Sequence, residues 1–259
     1  MSSRGPTIWA LADVHLAFGN PKKTMEVFGP SWANYPDKIK KNWEAKVGPD
    51  DLVIIAGDIT WATNLEEAII DLEWIDKLPG QKLILRGNHD YWWPTSSKLK
   101  NILPPTIAFI HNSAFEWNGV SFGGSRLWDS FEYTFDDYIE FVENPYAKKK
   151  TKEELAHQKE EDERIFQREL ARLKLSLEKM NKSASLKIAL THYPPISADL
   201  RPCRASAILE DFGIDICIFG HLHNVRPNSL NFGKARGVKY LFTSADYIDF
   251  SPLKIVSLE

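Results

Sequence analysis

Five short polar motifs in this chain contain side chains that commonly bind divalent metals. They read Asp13-Val14-His15, Gly57-Asp58, Gly87-Asn88-His89-Asp90, Thr191-His192 and Gly220-His221-Leu222-His223. Mixed Asp, Asn and His donors suit manganese, iron or zinc better than magnesium, which prefers oxygen ligands alone. Because one ion takes about four to six donors, this set indicates two metals that share a carboxylate. The candidate ligands are Asp13, His15, Asp58, Asn88, His192, His221 and His223.

Each motif directly follows an apolar run, and short branched runs of this kind are typical of buried strands. The runs cover residues 8–12, 52–56, 82–85, 186–190 and 214–219. The carboxyl ends of the strands in an open α/β sheet share one edge, so we expect the motifs to meet there. Any single buried Asp or His is more simply a satisfied polar group of the core, but that interpretation fails for the whole set.

Spacing inside the motifs supports a shared site. Asp13 and His15 lie two residues apart, so both side chains can point to one side of the backbone. The glycines before Asn88 and His221 allow the chain to turn sharply enough to present consecutive polar groups.

In this order the motifs resemble those of the calcineurin-like metallophosphoesterases, over a range that extends from Asp13 to His223. The resemblance implies an α/β (α+β) fold, a four-layer αββα sandwich of two mixed β-sheets with metals at the carboxyl ends of the strands. It implies one metal held by Asp13, His15, Asp58 and His223. It implies a second metal held by Asp58, Asn88, His192 and His221, with Asp58 bridging.

Such a ligand set predicts phosphoester hydrolysis. Two ions about 3.5–4 Å apart lower the pKa of a bridging water, which then attacks phosphorus in line, so no Ser or Cys nucleophile is needed. His89, beside Asn88, is placed to protonate the leaving oxygen. Asp90 could orient His89 or cap a turn. Arg126 follows a glycine pair and suits bidentate phosphate recognition, although a surface salt bridge explains it equally well.

Departures from the family pattern narrow the range of expected substrates. Protein Ser/Thr phosphatases of the family carry an acidic residue and an arginine soon after Gly-Asp, whereas residues 59–63 here contain neither. Their third motif ends in Glu, where this chain has Asp90. A small-molecule or nucleotide phosphodiester is therefore favoured. The alternatives are a pyrophosphatase acting on nucleoside-diphosphate-linked lipids, a phosphomonoesterase, or a non-catalytic metal-binding scaffold, which would be expected to lack the general acid or several ligands.

Composition is consistent with a cytoplasmic enzyme. The 259 residues, 43% of them hydrophobic, can form a sizeable core, and no repeat or linker divides residues 1–259 into separate domains. A net charge of −3 gives no reason to expect a nucleic-acid partner. Cys203 and Cys217 cannot form a disulfide framework and predict reduced thiols. Neither a signal peptide nor a membrane-spanning run is expected, and the oligomeric state stays open.

Residues 128–182 stand out as an insertion. Its first half is aromatic, with Trp128, Phe131, Tyr133, Phe135, Tyr138, Phe141 and Tyr146. Its second half opens with a capping-box pattern at Thr151 and continues with a narrow apolar stripe, which predicts a long amphipathic helix packed on the sandwich. A lid or a dimerisation element is the alternative. We expect the aromatic half to form a wall of the substrate pocket. Trp92 and Trp93 could stack on a substrate or pack within a loop.

Three further elements follow from the pattern. Residues 66–76 have helical apolar spacing and predict a crossover helix between the second and third strands. Trp117-Asn118-Gly119-Val120 predicts a type I′ hairpin. Residues 238–242 and 253–258 alternate as strands do, and both are expected to complete the second sheet.

Overall fold

The computed structural model describes residues 5–140 and 151–258 of the chain. Phe141 and Tyr146 of the predicted aromatic segment lie outside the described residues. The strands are β1 (Thr7–Leu11), β2 (Leu52–Ala56), β3 (Gln81–Leu85), β4 (Ile107–Ile110), β5 (Phe115–Trp117), β6 (Val120–Gly124), β7 (Leu186–Leu190), β8 (Ile216–Phe219), β9 (Lys234–Ala235), β10 (Val238–Phe242) and β11 (Leu253–Ser257). The α-helices are α1 (Tyr35–Lys46), α2 (Leu65–Asp76), α3 (Ser96–Ile102), α4 (Lys152–Leu177) and α5 (Arg204–Asp211).

Two mixed sheets form the centre of the molecule. The first has the strand order β11-β1-β2-β3-β4, and the second has the order β5-β6-β7-β8-β10-β9. Strands β1 to β4 are mutually parallel, as are β6, β7, β8 and β10, while β5, β9 and β11 join the edges in the antiparallel sense. The predicted pair of mixed sheets is confirmed.

One assignment made from sequence is wrong. Residues 253–258 were expected in the second sheet, but β11 pairs with β1 of the first sheet. Every residue of β1 is buried, so without β11 its outer backbone groups would lack hydrogen-bond partners. Alternation along a strand predicts its faces and says nothing about which neighbouring strand it pairs with.

Three apolar clusters define the layers. One lies between the sheets and includes Ile8 and Ile54 from the first sheet and Phe122 and Ile188 from the second. A second cluster packs α1, α2 and α3 on the outer face of the first sheet. The third packs α4 and α5 on the outer face of the second sheet. Helix, sheet, sheet and helix therefore follow one another, as the predicted αββα sandwich requires.

Local chemistry fixes the predicted crossover helix and hairpin. Helix α2 begins one residue before the predicted start, and the side chain of its N-cap, Asn64, accepts a hydrogen bond from the Glu67 N–H. At the hairpin between β5 and β6, Asn118 and Gly119 have φ angles of 46° and 78°. Two consecutive left-handed residues are the signature of a type I′ turn.

The long helix α4 begins at the predicted capping box, in which Thr151 and Glu154 each accept a hydrogen bond from the other's backbone N–H. Its apolar stripe, with Phe166, Leu170 and Leu173, is buried against the second sheet. The helix is therefore packed on the sandwich as predicted. Across the described ranges, no helix combines the length and apolar character needed to cross a membrane.

Candidate metal centre

The five polar motifs meet at one edge of the sandwich. Asp13, Asp58 and Asn88 lie just past the ends of β1, β2 and β3 in the first sheet. His192 and His221 lie just past β7 and β8 in the second sheet. Both sheets thus contribute side chains to the same place, which we call the site edge.

Asp58 lies between two groups of imidazoles. Its Oδ2 is 3.5 Å from His15 Nε2 and 3.4 Å from His192 Nε2. On one side, His15 Nε2 lies 3.1 Å from His223 Nε2. Ligand atoms of Asp13, His15 and His223 all fall within 4.8 Å of one another, as do those of Asp13, Asp58 and His192.

On the other side of Asp58, Asn88 joins two histidines. The Asn88 Oδ1 atom is 2.7 Å from His192 Nε2 and 3.1 Å from His221 Nδ1. An amide oxygen and two ring nitrogens therefore converge beside the same carboxylate.

The unused atoms of these side chains test whether a metal fits. His192 Nδ1 lies 3.0 Å from the Ala56 carbonyl oxygen, and a proton on Nδ1 leaves Nε2 free to bind a metal. His223 Nδ1 likewise lies 3.0 Å from Asp246 Oδ1. Asp13 Oδ1 is buried and lacks a hydrogen-bond partner among the described residues. Metal-binding histidines are typically oriented in this way through their second nitrogen, so the residues fit a pair of divalent ions.

Charge is unevenly distributed over the two carboxylates. Burial raises the pKa of Asp13 to about 6, against the opposing effect of His192 and His223. Burial acts on Asp58 in the same sense, but the charges of His192 and His15 outweigh it and hold the pKa of Asp58 well below its usual range. The carboxylate shared by both groups is therefore the one most firmly ionised.

The pKa values of the imidazoles also shift in opposite directions. Burial lowers the pKa of His192, but Asp58 outweighs it and raises the value to about 9. Burial also lowers the pKa of His223, but the hydrogen bond to Asp246 and the charges of the nearby carboxylates together raise the value to about 9. Burial, followed by the charge of His192, holds the pKa of His221 well below the usual value. Imidazole binds metal in its neutral form, so metal binding here displaces ring protons.

The backbone at the site edge is strained. Asp13, Asp58 and His221 have φ angles of 57°, 51° and 76°, and His15 has a φ of 42°. L residues avoid this left-handed region unless the surroundings enforce it, and such strain concentrates at functional sites. All four strained residues are candidate metal ligands.

Gly87 and Gly220 leave the space that two carboxylates occupy. A Cβ at Gly87 would overlap Asp58 Oδ1, and a Cβ at Gly220 would overlap Asp13 Oδ2. Neither glycine has a left-handed φ. Close approach of a carboxylate is therefore a second reason, besides the predicted turn, for glycine at both positions.

Asp246 is a site residue that the sequence analysis missed. Its two carboxylate oxygens accept hydrogen bonds at the His223 ring and the Asn224 N–H. Nearby Ser244 donates a hydrogen bond of 2.6 Å to Asp13 Oδ2. Both residues lie in the loop after β10, which ends at Phe242, so the rule that located the other motifs, polar residues after an apolar strand, could also have found them.

A family model described as calcineurin-like phosphoesterase matches residues 6–225. This chain belongs to the calcineurin-like phosphoesterase family. The matched range contains all of the candidate ligands predicted from sequence, and the predicted resemblance is confirmed.

Two viral proteins are similar in sequence to this phosphoesterase-family chain. It is similar to the Gene 66 protein of Mycobacterium phage L5, with 33% identity over 84 residues, which cover 32% of this chain and 39% of the phage protein. The alignment thus spans about two fifths of the phage protein's length. It is also similar to the uncharacterized protein L509 of Acanthamoeba polyphaga mimivirus, with 25% identity over 198 residues, 70% of this chain and 67% of that protein.

Among solved structures, phosphopantetheinyl hydrolase (PptH) from Mycobacterium tuberculosis is similar in fold. The TM-score is 0.55 at 15% identity, and the match covers 98% of this chain and 96% of the hydrolase. At this identity the similarity concerns the fold alone.

His89 lies beside the ligands of this family member. Its backbone N–H donates a hydrogen bond of 2.8 Å to Asp58 Oδ1. Its ring lies 4.4 Å from the Trp61 ring and 5.7 Å from the His15 ring, measured between centroids. Burial is the main cause that lowers the pKa of His89. The ring is therefore held against the site edge while Nδ1 has no hydrogen-bond partner among the described residues.

Asp90 is buried and bonds to backbone. Its carboxylate accepts hydrogen bonds from the N–H groups of Ile59, Thr60 and Gly87, and from the Trp92 indole. Burial raises its pKa to about 6, with the charge of Asp58 adding to the effect. These bonds tie the loop after Asp58 to the loop that carries Asn88, which favours the turn-stabilising alternative over the orientation of His89.

The structure does not bring Arg126 into contact with the ligand cluster. Its Nε lies 3.6 Å from Glu169 of α4, and its guanidinium lies over the Trp128 ring at 4.6 Å. Its backbone does reach the site edge, because the Arg126 carbonyl accepts the N–H groups of His192 and Tyr193. The observed side-chain contacts favour the salt-bridge alternative.

The two tryptophans after the Gly-Asn-His-Asp motif are buried. Trp92 and Trp93 are 4% and 7% exposed and belong to the apolar cluster outside the first sheet. Their position favours packing within the loop.

The aromatic half of the insertion lines a pocket that reaches the site edge. The pocket has a volume of about 610 Å³. Trp128, Tyr133 and Phe135 form part of its wall, and Tyr193 and His221 form the part next to the metal ligands. His221 belongs to both, so the pocket and the candidate metal centre are adjacent.

Proposed function

We propose that this protein is a dinuclear metal-dependent phosphohydrolase that cleaves small-molecule phosphodiesters. The observation that carries the proposal is the position of Asp58, whose Oδ2 lies within 3.5 Å of imidazoles from both groups. A carboxylate so placed suits a bridge between two cations. Two-metal sites of this kind hydrolyse phosphoesters in many folds, and the family membership agrees.

The proposed ligand assignment follows the two groups. Asp13, His15, Asp58 and His223 would hold one ion, and Asp58, Asn88, His192 and His221 the other. The imidazoles argue against magnesium, and the oxygen donors argue against a purely soft metal, so we propose manganese, with iron and zinc as alternatives.

When bound, the two ions supply the positive charge that lowers the pKa of a water and offsets the charge on the phosphoryl oxygens. The chain itself supplies a proton. His89 is the proposed general acid, because it directly follows Asn88 in the chain and its ring centroid lies 5.7 Å from that of His15. His89 is partly buried, and a proton on its ring would be available to a leaving oxygen bound at the site edge.

Two features support a diester of a small molecule. Residues 59–63 lack the acidic residue and arginine that mark the protein phosphatase pattern. The aromatic pocket beside His221 is large enough for one substituent of a diester, and pockets of this kind are usually apolar with a few polar groups.

Metal reconstitution of the purified chain tests this function. We expect bound manganese near two ions per chain and hydrolysis of bis-p-nitrophenyl phosphate that depends on it. Asp58→Asn should lose both bound metal and turnover. His111→Ala serves as the control, because His111 lies outside the ligand cluster and lines other cavities.

Binding of two ions without hydrolysis of any mono- or diester would instead favour the non-catalytic scaffold. Retention of one ion or fewer per chain would contradict the dinuclear assignment. A panel that includes phosphomonoesters and nucleoside-diphosphate compounds distinguishes the proposed diesterase from the monoesterase and pyrophosphatase alternatives.

A further inference from the structure

The aromatic pocket is lined by acidic residues, which is unusual next to a centre proposed to bind phosphate. Of the described residues that line it, the charged ones are Asp129, Asp136 and Asp162, and none is a lysine or an arginine. A second phosphate or a carboxylate on the substrate would meet negative charge on this side of the metal centre. The pocket therefore disfavours an anionic substituent.

Aromatic rings form the rest of the wall and connect it to the metal ligands. The Tyr193 ring lies 3.8 Å from the His221 ring and 5.1 Å from the Trp128 ring, measured between centroids. Tyr133 and Phe135 continue the wall, with their rings 5.6 Å apart in an edge-to-face arrangement. Tyr193 and Trp128 thus connect the site edge to Asp162, to which the Trp128 indole donates a hydrogen bond.

The carboxylates lie within electrostatic reach of one another. Asp162 accepts a hydrogen bond of 2.9 Å from the Trp128 indole, which fixes its position on the wall. Burial raises the pKa of Asp129, and the charges of Asp162 and Asp136 add to the rise. All three residues line the same pocket, so a cation bound there would be attracted by each carboxylate.

Nearby arginines are engaged elsewhere. Arg204 forms ion pairs with Glu132 and Glu163. Arg126 lies over one face of Trp128 and faces Glu169. Neither residue lines the pocket.

We propose that this pocket binds a positively charged substituent of the substrate, so that the preferred substrate is a phosphodiester of an amino alcohol or a quaternary ammonium alcohol. Aromatic faces attract ammonium groups through their quadrupoles, and nearby carboxylates add direct attraction. The inference rests on the proposed function, because it names one ester group of the same substrate.

The test compares two esters that differ only in charge. p-Nitrophenyl phosphorylcholine and p-nitrophenyl 3,3-dimethylbutyl phosphate share the leaving group and the shape, and a carbon replaces the quaternary nitrogen in the second. We expect kcat/KM of the metal-loaded protein to be about tenfold higher for the choline ester. High ionic strength should reduce the preference, since salt screens charges in a partly open pocket.

Variants assign the preference to the pocket. Asp129→Asn and Asp162→Asn should each lower kcat/KM for the choline ester about threefold to tenfold and leave the 3,3-dimethylbutyl ester nearly unchanged. Asp136→Asn should act in the same direction. Asp137→Asn is the matched control, because Asp137 belongs to the same short 3-10 helix but does not line the pocket.

A binding measurement separates this inference from the proposed hydrolysis. We expect choline to bind the metal-free protein and to quench tryptophan fluorescence, whereas 3,3-dimethylbutanol should bind more weakly. Equal kcat/KM for the two esters, or a choline preference that survives both Asp129→Asn and Asp162→Asn, would overturn the cation pocket while leaving the hydrolase intact. If choline binds the metal-free protein but the loaded protein hydrolyses neither ester, the proposed function fails and the pocket stands.

Discussion

The loops at the site edge and the segment from residue 128 to 182 differ in how their positions are fixed. At the site edge, backbone strain at Asp13 and Asp58 and a glycine with no room for a side chain determine where each donor atom lies. In the insertion, the apolar stripe of α4 anchors a helix whose first turns are exposed. The comparison indicates that the chemistry depends on close steric fit, whereas the pocket wall depends on ordinary hydrophobic packing.

The same comparison explains the division of roles that we propose. Metal ligands must be held to within fractions of an ångström, so they lie on short loops between buried strands. A pocket wall needs shape and charge over a larger area, and a segment added at the surface can supply both without disturbing the strands.

The largest expected effect is the loss of the metal centre in Gly87→Ala. The added methyl group would overlap the Asp58 carboxylate, so the bridging position should be lost, with bound metal and turnover falling to background. Gly233→Ala is the matched control, because a Cβ at Gly233 has nothing within 4 Å. Metal analysis and rate measurement decide the outcome, and full metal content in Gly87→Ala would contradict the steric argument.

His89→Ala should affect turnover and spare metal binding. We expect a loss of about 10²–10⁴-fold in rate for poor leaving groups, the usual contribution of a general acid. The loss should shrink for nitrophenolate, which needs little protonation. His157→Ala, on the exposed face of α4, is the control. Equal losses for good and poor leaving groups would argue against the acid role.

Asp246→Asn should weaken metal binding by about 10–100-fold, because groups that orient metal-binding histidines contribute on this scale. The measurement is a competition titration with a chelator. Asp249→Asn, in the same loop and with a left-handed φ of 53° that Asn tolerates well, should have no effect. Identical affinities in the two variants would remove Asp246 from the site.

Changes in α4 should affect stability and leave the metal centre intact. Leu173 is fully buried, so Leu173→Ala is expected to lower the free energy of unfolding by about 2–5 kcal/mol. Leu175 is 48% exposed on the same helix, so Leu175→Ala should change the free energy of unfolding by no more than about 0.5 kcal/mol. Denaturant unfolding measures both. A parallel loss of bound metal in folded Leu173→Ala would show that the two regions are coupled.

The smallest effect is expected at the pocket wall. Phe131 lines the pocket and is 54% exposed, so Phe131→Ala should fold normally. It should raise KM for the preferred substrate a few-fold and leave a small nitrophenyl diester nearly unaffected, as expected for lost uniform binding. Phe28→Ala, an exposed aromatic residue that does not line the pocket, is the control. Similar changes for both substrates would assign Phe131 a structural role.

Several features of this protein were determined by the sequence alone, because their causes are local. Alternation and apolar runs predicted the strands, the capping box at Thr151 predicted the start of α4, and Asn118-Gly119 predicted the turn. The family membership followed from motif order. Each of these depends on residues that are close together in the chain.

Tertiary structure decided the remaining features, because they depend on which distant segments become neighbours. The pairing of β11 with β1 supplies hydrogen-bond partners to the outer backbone groups of β1, and no local sequence pattern predicts it. Asp90 bonds to backbone 30 residues away, and Asp246 reaches His223 only after β8 and β10 have paired. The acidic side chains in the aromatic pocket are likewise separated along the chain. Their common charge becomes a chemical property only when folding brings them to one surface.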